Sequence, residues 1–291
     1  MSTDREQAIR ACCIGDLPTL QTLLHNSQFL DHSRLQTLLT EKRGIDNADE
    51  SRKYDCDQKV LLKTMVERAA RNGHTDIVHY LISLYPALSL NHEIVRAAIG
   101  SGSTEVYDVL LAKDPSIIDM HFDHFQYTLS EAQYLDNEKA LKFSAFLLAK
   151  GVDPNDPRES FPPVAFAALF SSPEVVDLLV RHGARLENSG ALQIAARVGK
   201  LDMVRHLLEL GVDVNENREV VGEGPALHAA VVDGHKDVVI FLLGHGANPD
   251  LRDYEGRDNR KTAHMRAQAV GNQELVDILA TYSSGMPHAA L

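Results

Sequence analysis

Basic residues are in short supply in this chain. Lysine and arginine together number 29, against 41 aspartates and glutamates, which gives a formal net charge of −12 at pH 7. Sequence-independent binding to nucleic acid needs lysines and arginines that replace counterions on the phosphates, and no basic cluster interrupts the acidic balance. The composition therefore argues against a nucleic-acid partner. It leaves two interpretations of the acidity open: it keeps the protein soluble, or it attracts a basic partner.

Cysteines and long apolar runs are also scarce. The three cysteines, Cys12, Cys13 and Cys56, are odd in number and confined to the N-terminal fifth, which favours buried thiols over a disulfide framework. The first residues, MSTDRE, are charged and precede no apolar run, so no signal peptide is predicted. No stretch approaches the roughly 18 apolar residues of a membrane helix. We expect a protein of the cytosol or the nucleus that is not secreted and has no membrane partner.

The motifs of common catalytic sites are missing too. The segment HEIVR at 92–96 begins like a zinc-protease helix but has Arg96 where the second histidine must lie. Gly100-Ser101-Gly102 lacks both the third glycine and the Gly-Lys-Ser/Thr ending of phosphate loops. A Gly-x-Ser-x-Gly nucleophile elbow does not occur. No metal site and no cofactor are predicted.

What the chain does contain is self-similarity. The segment GPALHAAVVDGHKDVVIFLLGHGAN at 224–248 repeats the pattern of GALQIAARVGKLDMVRHLLELGVD at 190–213. Each has a short apolar segment, a glycine, a second apolar segment with an acidic residue near its start, and another glycine. A sequence that repeats at about 33 residues predicts a stack of helical pairs, none of which buries its apolar face alone.

Residues that tolerate positive φ predict the turn between the two helices of each pair. The candidates define eight units and are Gly15, Gly73, Gly102, Asn137, Ser172, Gly199, Gly234 and Gly271. A second set of glycines predicts the ends of second helices, namely Gly151, Gly183, Gly211 and Gly246. Proline is expected to end two further second helices, at Pro86 and Pro115. The step from Ser172 to Gly199 is shorter than the others, which predicts a trimmed finger loop between those two units.

The segment Pro225 to Ala230 resembles the Thr-Pro-Leu-His-x-Ala opening of ankyrin repeats. This resemblance covers nearly the whole chain, most clearly from about residue 160 to 280. It implies an all-α fold, an ankyrin-repeat solenoid of stacked helix-turn-helix units with finger loops. It also implies that His228 forms structural hydrogen bonds within and between units. The family mostly binds other proteins, so the function implied is general.

Five segments are predicted along the chain. Residues 1–26 form an N-terminal capping repeat, and 27–59 form an irregular insertion with a short helix near Arg34–Leu39 and a mobile polar loop from Thr40 to Lys59. Degenerate ankyrin repeats follow over 60–160 and well-matched repeats over 161–282. Residues 283–291 are predicted to be a disordered tail.

The resemblance implies a concave groove that is lined by first helices and finger tips. Within it, the two residues before each inter-helix turn and those at the finger tips would be exposed. These groove positions hold aromatic residues and an arginine, with acidic residues around them. Such a composition is typical of a binding hot spot with a polar rim. Phe161 and Phe170 fit either the groove or the core. The predicted partner-binding residues are His124, Phe125, Tyr127, Leu135, Asp136, Phe170, Arg197 and Asp233.

Two hypotheses of function follow. The first is a non-catalytic interaction module or scaffold that binds an unknown protein partner through the groove. The second is an ankyrin-fold enzyme or small-molecule binder at the irregular central repeats, with His124, Tyr127 and Asp136 as catalytic residues and Arg197 as an anion contact. It rests on the segment 119–127, which holds two histidines, two carboxylates and a phenol, because imidazole titrates near neutrality. A deep, closed pocket would favour the second hypothesis and an open trough the first.

Overall fold

A computed structural model of the chain describes residues 3–26, 30–40, 50–122, 127–159, 161–217, 224–253 and 260–283. Over these residues the fold is all-α, with seventeen α-helices and short 3-10 turns. β-Pairing is limited to isolated bridges such as the antiparallel one between Arg252 and Thr262. The predicted fold class is confirmed. No helix in the described segments is long and apolar enough to cross a membrane.

The chain divides into two compact units, an N-terminal unit of residues 1–123 and a C-terminal unit of residues 124–291. The N-terminal unit contains α1 (Asp4–Ile14), α2 (Leu17–Asn26), α3 (His32–Thr40), α4 (Glu50–Arg71), α5 (Thr75–Leu84), α6 (His92–Ser101), α7 (Thr104–Lys113) and a 3-10 turn at Pro115–Asp119. The C-terminal unit contains α8 (Thr128–Glu131), a 3-10 turn at Ala132–Tyr134, α9 (Asn137–Ala149), α10 (Pro163–Phe170), α11 (Pro173–Arg181), α12 (Ala191–Arg197), α13 (Leu201–Glu209), α14 (Ala226–Val232), α15 (Lys236–Gly244), α16 (Ala263–Ala269) and α17 (Gln273–Ser283).

In the N-terminal unit, the first helices α1, α4 and α6 pack in succession, and the second helix α5 packs against α7. The additional helix α3 contains the predicted short helix and packs against α4. His32 fixes α3 in place: its ring stacks on Tyr85 at a centroid distance of 5.7 Å, and its Nε2 donates to the carbonyl of Leu24 at 2.8 Å.

The loop predicted up to Lys59 is wrong from residue 50 onward, because α4 begins at Glu50. The buried face of α4 includes Leu61, Leu62 and Met65. Once that apolar face anchors the helix, each further residue adds one backbone hydrogen bond at little cost. A polar helical extension and a polar loop have the same composition, which explains the error. Residues 41–49 and the predicted tail over 284–291 lie outside the described residues.

The C-terminal unit consists of two layers of helices. The first helices α10, α12, α14 and α16 pack side by side, and α8 with its 3-10 turn packs on α10. The second helices α9, α11, α13, α15 and α17 pack in the same order. The first helices meet through small buried side chains, which include Ala165, Ala168, Ala195, Ala196, Ala229 and Ala230. Dispersion and apolar burial across these faces hold the stack together.

Most of the turn predictions are confirmed. The six predicted turn glycines have φ between 72° and 81°, and the four predicted helix-ending glycines also have positive φ. The predictions for Asn137 and Ser172 are wrong, since Asn137 is the first residue of α9 and Ser172 caps α11 with φ −103°. A 3-10 turn ends the first helix before Asn137. The second helices there start from Asp136 and Ser172, so neither connection needs positive φ.

Within each unit, hydrogen bonds tie some helix pairs to the pair before them. His235 Nε2 donates to the carbonyl of Arg197 at 2.9 Å. His74 Nε2 donates in the same way to Cys13 at 3.0 Å. Lys200 Nζ donates to the carbonyl of Ser171 at 3.1 Å. The last carbonyls of an α-helix have no partner within the helix, so the neighbouring repeat supplies one.

His228 has the structural role that the resemblance implied. It is buried in α14, and its Nε2 donates to the carbonyl of Lys261 at 3.0 Å. Burial lowers the pKa of its imidazole, so the ring is neutral near pH 7. Lys261 in turn pairs with Asp253 across the base of the last finger, where Asp253 N donates to Lys261 O at 3.0 Å. The histidine therefore ties α14 to the following finger.

The finger loops differ in length. Residues 182–190 alone connect α11 to α12, whereas residues 210–225 connect α13 to α14, which confirms the predicted trimmed finger. The short connection is completed by Asn188 and Gly190 at φ 55° and 80°. Among the described residues, Asn188 is the one non-glycine with positive φ.

Two asparagines link successive fingers in the same manner. Asn155 Nδ2 donates to the carbonyl of Gly183, and Asn155 Oδ1 accepts from the backbone N–H of Arg185, both at 2.8 Å. Asn215 makes the equivalent pair of bonds to Gly246 at 3.1 Å and Asn248 at 2.8 Å. Each asparagine thus uses both ends of its amide to hold the base of the next finger.

Candidate helix-end binding surface

A row of exposed side chains crosses the C-terminal unit where the first helices end. In each helix pair, one member lies three residues before the first residue of the second helix. In two of the pairs, the residue just before this position also belongs to the row; these residues are Arg197 and Val232. We call this surface the helix-end row and define it as Tyr134, Phe170, Arg197, Val198, Val232, Asp233 and Val270.

The row is largely apolar although it faces solvent. Its five apolar members, Tyr134, Phe170, Val198, Val232 and Val270, are each between 38% and 49% exposed. Singly exposed apolar residues are normal on protein surfaces, but a contiguous set marks a binding site. The members recur at or next to one position on helices that pack side by side. The repeat therefore arranges them as one surface.

One end of the row is aromatic. The rings of Tyr134 and Phe170 are 4.5 Å apart between centroids, and Tyr134 also lies 6.1 Å from Phe166. Phe161 meets Phe166 edge to face at 6.3 Å. Phe170 is exposed whereas Phe161 is half-buried. Of the two residues whose position the sequence left open, Phe170 therefore belongs to the surface, and Phe161 is half-buried against Phe166.

The middle of the row carries an ion pair. Arg197 Nε lies 4.0 Å from Asp233 Oδ2, and the two side chains are 51% and 42% exposed. At this distance and exposure, the pair contributes between about 0 and 1 kcal/mol to stability. Both charges therefore remain accessible to a partner, in the middle of an apolar surface. The predictions for Phe170, Arg197 and Asp233 place all three on this single row.

The other predicted residues lie elsewhere or are not described. His124 and Phe125 fall outside the described residues. Tyr127 is half-buried, and the guanidinium of Arg158 lies 4.7 Å from the centroid of its ring. Leu135 is half-buried directly after the 3-10 turn, next to Tyr134.

Asp136 is exposed and acts as a helix cap. Its Oδ1 accepts from the backbone N–H of Lys139 at 3.0 Å, and its Oδ2 lies 3.0 Å from Lys139 Nζ. These hydrogen bonds hold the pKa of the Asp136 carboxyl below its usual range, with the backbone bond as the largest cause. Asp136 is therefore ionised near neutral pH and satisfies a free N–H at the start of α9.

Sequence reasoning missed Tyr134. It placed the inter-helix turn at Asn137, whereas Leu135 corresponds in register to Gly199, since each lies two residues before the first residue of a second helix. The two residues before that point are Gln133 and Tyr134. The signal that could have located Tyr134 is the pattern Asp-x-x-Lys at 136–139, because aspartate is a strong helix N-cap.

A half-buried carboxyl group in the finger between α9 and α10 was not predicted either. Glu159 Oε2 accepts from Ser130 Oγ at 2.6 Å. Burial raises the pKa of Glu159 to about 7, and the hydrogen bond from Ser130 acts in the opposite direction. Asp156 raises this pKa further and Arg158 lowers it. The burial depends on how this finger packs against α8, which a pattern of single residues does not encode. The described residues contain no group of three or more metal-ligating side chains.

Comparison with known proteins identifies the repeat directly. A family model for ankyrin repeats in three copies matches residues 129–218, and a model for a single ankyrin repeat matches residues 225–254. These residues are ankyrin repeats, as the sequence pattern predicted. The matches include every member of the helix-end row except Val270.

Curated relatives share the repeat but not the whole chain. An E3 ubiquitin-protein ligase, hecd-1 of Caenorhabditis elegans, is 38% identical over 92 residues, which are 32% of this chain and 3% of that protein. The 2-5A-dependent ribonuclease of Homo sapiens is 37% identical over 92 residues, 32% of this chain and 12% of the ribonuclease. The putative ankyrin repeat protein FPV031 of fowlpox virus (strain NVSL) is 27% identical over 146 residues, 47% of this chain and 42% of FPV031. The chain thus spans less than half the length of each of these relatives.

Proposed function

We propose that this ankyrin-repeat protein binds a partner protein through the helix-end row of its C-terminal unit. Ankyrin repeats are general protein–protein interaction modules. The observation that carries the proposal is that each of five consecutive helix pairs exposes an apolar side chain at or next to the same position, three residues before its second helix. A folded chain gains nothing from exposing Tyr134, Phe170, Val198, Val232 and Val270, whereas burying them against a partner releases their hydration water.

The make-up of the row supports a hot spot. Interface hot spots are enriched in tyrosine, tryptophan and arginine. Tyr134 and Phe170 form a rigid aromatic pair 4.5 Å apart, so little side-chain entropy is lost when a partner covers them. Arg197 and Asp233 offer one charge of each sign in the middle of the row. Apolar burial at about 25 cal/mol per Å² supplies affinity, and the charges supply orientation.

The relatives also support binding rather than catalysis. The names of two of them state different activities, that of a ubiquitin ligase and that of a ribonuclease, yet each matches this chain over 92 residues. Ankyrin repeats that occur in two proteins of different activity are best explained as a recognition element that each of them carries. The residues of the catalytic hypothesis give it no support, because Asp136 caps α9 and Tyr127 lies under Arg158. We propose no second function.

The charge of the chain favours a basic partner. A formal net charge of −12 speeds encounter with a basic protein and slows encounter with an acidic one. Such steering depends on ionic strength, since salt screens exposed charges within about 10 Å at 0.1 M. We therefore expect the association rate to fall as salt is added, with a smaller change in the dissociation rate.

Affinity capture from the native cell tests the proposal. The tagged full chain, the double variant Phe170→Ala/Arg197→Glu and a matched control, Leu210→Glu, would each be used for capture with quantitative mass spectrometry. Leu210 is an exposed apolar residue at the end of α13, away from the row. We expect the double variant to lose the proteins that wild type and control retain, with thermal melts nearly unchanged. Retention of the same proteins by the double variant would contradict the proposal.

A further inference from the structure

We infer that the partner segment is an amphipathic α-helix that lies along the helix-end row and presents one apolar side chain to each repeat. This inference rests on the proposed function and makes it more specific. It follows from the spacing of the row, from the absence of a strand edge in the described segments, and from the distribution of aromatic and aliphatic side chains.

The spacing of the row favours a helix over an extended strand. α10 packs against α12, α12 against α14, and α14 against α16, and packed helices lie about 8–10 Å apart. Row members at one register position, such as Phe170 and Val198, recur at that interval. Seven residues of an α-helix rise about 10.5 Å. An apolar residue that recurs once per heptad would therefore meet each successive repeat. Same-face residues of a strand recur about every 6.6 Å and fall out of step after one repeat.

Strand addition also lacks a template here. A peptide that binds as an extra strand needs a sheet edge with unpaired backbone N–H and C=O groups. In the described segments the β-pairing consists of isolated bridges, and that between Arg252 and Thr262 lies at the base of a finger. The row itself is formed by helix ends, whose backbone groups are bonded within the helix or by the next repeat, as His235 does for Arg197.

A polyproline segment fits less well than a helix. Three residues of polyproline II rise about 9.3 Å, which is close to the repeat spacing, but such segments dock into grooves lined by aromatic rings. Here the aromatic side chains are confined to one end, at Tyr134 and Phe170. The rest of the apolar row is valine, at Val198, Val232 and Val270. Aliphatic positions flanked by charges are typical of surfaces that receive the apolar stripe of a helix.

The ion pair adds a polar requirement for the partner helix. Arg197 and Asp233 lie 4.0 Å apart, next to Val198 and Val232 in sequence. A helix that covers both valines would bring residues beside its apolar stripe within reach of both charges. We expect that stripe to be flanked by an acidic residue near Arg197 and a basic residue near Asp233, as in the charge pairs that flank coiled-coil seams.

Peptide display against the full chain tests the inference. Three libraries of about 28 residues, or four heptads, would carry apolar residues in a heptad pattern, in strict alternation, or as Pro-x-x-Pro repeats. We expect enrichment of the heptad library and a gain of helical circular dichroism when its peptides bind. The double variant Val198→Glu/Val232→Glu should weaken these peptides about tenfold or more. Leu210→Glu and Val60→Glu, which change exposed apolar residues outside the row, should not.

Three outcomes would overturn the inference. The alternating or the Pro-x-x-Pro library could be enriched, no library could be enriched, or the selected heptad peptides could bind the Val198→Glu/Val232→Glu variant as tightly as wild type. These outcomes differ from failure of the proposed function. If Phe170→Ala/Arg197→Glu loses the cellular partner while alternating peptides are selected, the row binds proteins but the helical partner is wrong. If capture is unchanged by that variant, the proposed function itself fails.

Discussion

The imidazole of His235 occupies the space beside Gly199 where a larger residue would place its Cβ. A Cβ built on Gly199 would lie 2.5 Å from Nδ1 of this ring, closer than such atoms approach in proteins. The same ring donates from Nε2 to the carbonyl of Arg197. Glycine at 199 therefore serves the contact between two repeats as well as the turn within one.

Gly199→Ala should lower the melting temperature more than Gly234→Ala does. Both glycines have positive φ, 72° and 78°, so both variants have backbone strain of about 1 kcal/mol or more. At Gly234 the nearest atom to an added Cβ is Asn272 Nδ2 at 3.9 Å, which leaves room. Only Gly199→Ala also displaces His235 and its hydrogen bond. Equal melting temperatures for the two variants, measured by circular dichroism, would contradict this account of the repeat contact.

Glu159 should make stability depend on pH. Its folded pKa of about 7 lies above the ordinary value of 4.5, so the native state binds the proton more tightly than the unfolded state. The free energy of unfolding should therefore fall as pH rises from about 4.5 to about 7, and then level off. Glu159→Gln removes this decline and should be more stable than wild type above pH 7, by at most about 3 kcal/mol. Urea unfolding between pH 4 and pH 8 measures the difference.

Ser130→Ala provides the matched control for this effect. The hydroxyl of Ser130 donates to Glu159 at 2.6 Å and lowers the pKa that burial raises. Its removal should move the pH midpoint of the wild-type decline upward, whatever it does to stability at a single pH. A midpoint that stays in place, or a Glu159→Gln variant that keeps the decline, would show that another group titrates.

The aromatic end of the row should show measurable coupling. Aromatic pairs at this separation contribute about 0.5–1.5 kcal/mol beyond the area they bury. A double-mutant cycle on Tyr134→Ala and Phe170→Ala, followed by urea unfolding, should give a coupling energy in that range. Each single variant should clearly reduce partner capture and lower the free energy of unfolding only slightly, because both side chains are exposed. A coupling of zero would mean that the rings do not contact in solution.

The asparagine links should be visible in hydrogen exchange. In wild type, the backbone N–H of Arg185 donates to Asn155 and that of Asn248 donates to Asn215. Asn155→Ala should increase exchange at Arg185 and leave Asn248 protected, and Asn215→Ala should do the reverse. Each lost bond costs about 1 kcal/mol, so exchange should rise about fivefold or more. Faster exchange at both amides in both variants would indicate global destabilisation instead.

The sequence predicted the repeat well because the repeat depends on residues that lie close together in the sequence. Turn glycines such as Gly199 and Gly234 mark a backbone conformation that other residues adopt at a cost, and the apolar spacing between them predicts the helices. The register failed at Asn137 and Ser172, where an N-cap and a 3-10 turn replace the glycine turn. Tyr134 was missed for that reason alone.

Features that depend on contacts distant in sequence were out of reach. The partial burial of Glu159 and the contact between the rings of Tyr134 and Phe170 arise where separate repeats meet, and nothing adjacent to those residues in sequence indicates either contact. The extent of α4 before Lys59 was hidden by its polar composition. Phe170, Arg197 and Asp233 were found because each lies one or two residues before a predicted turn, and periodicity alone predicts those turns.

The trimmed finger at 182–190 shows that a finger can change in length without changing the register of the helices on either side of it. Helices α11 and α12 keep their places in the two layers although the segment between them is much shorter than residues 210–225. Insertions and deletions during evolution can therefore accumulate in the fingers without shifting the helices. For protein engineering, the stretch around Asn188 is a natural place to graft a foreign loop, since residues added there would follow Gly183 and Arg185, which bond to Asn155, and precede α12.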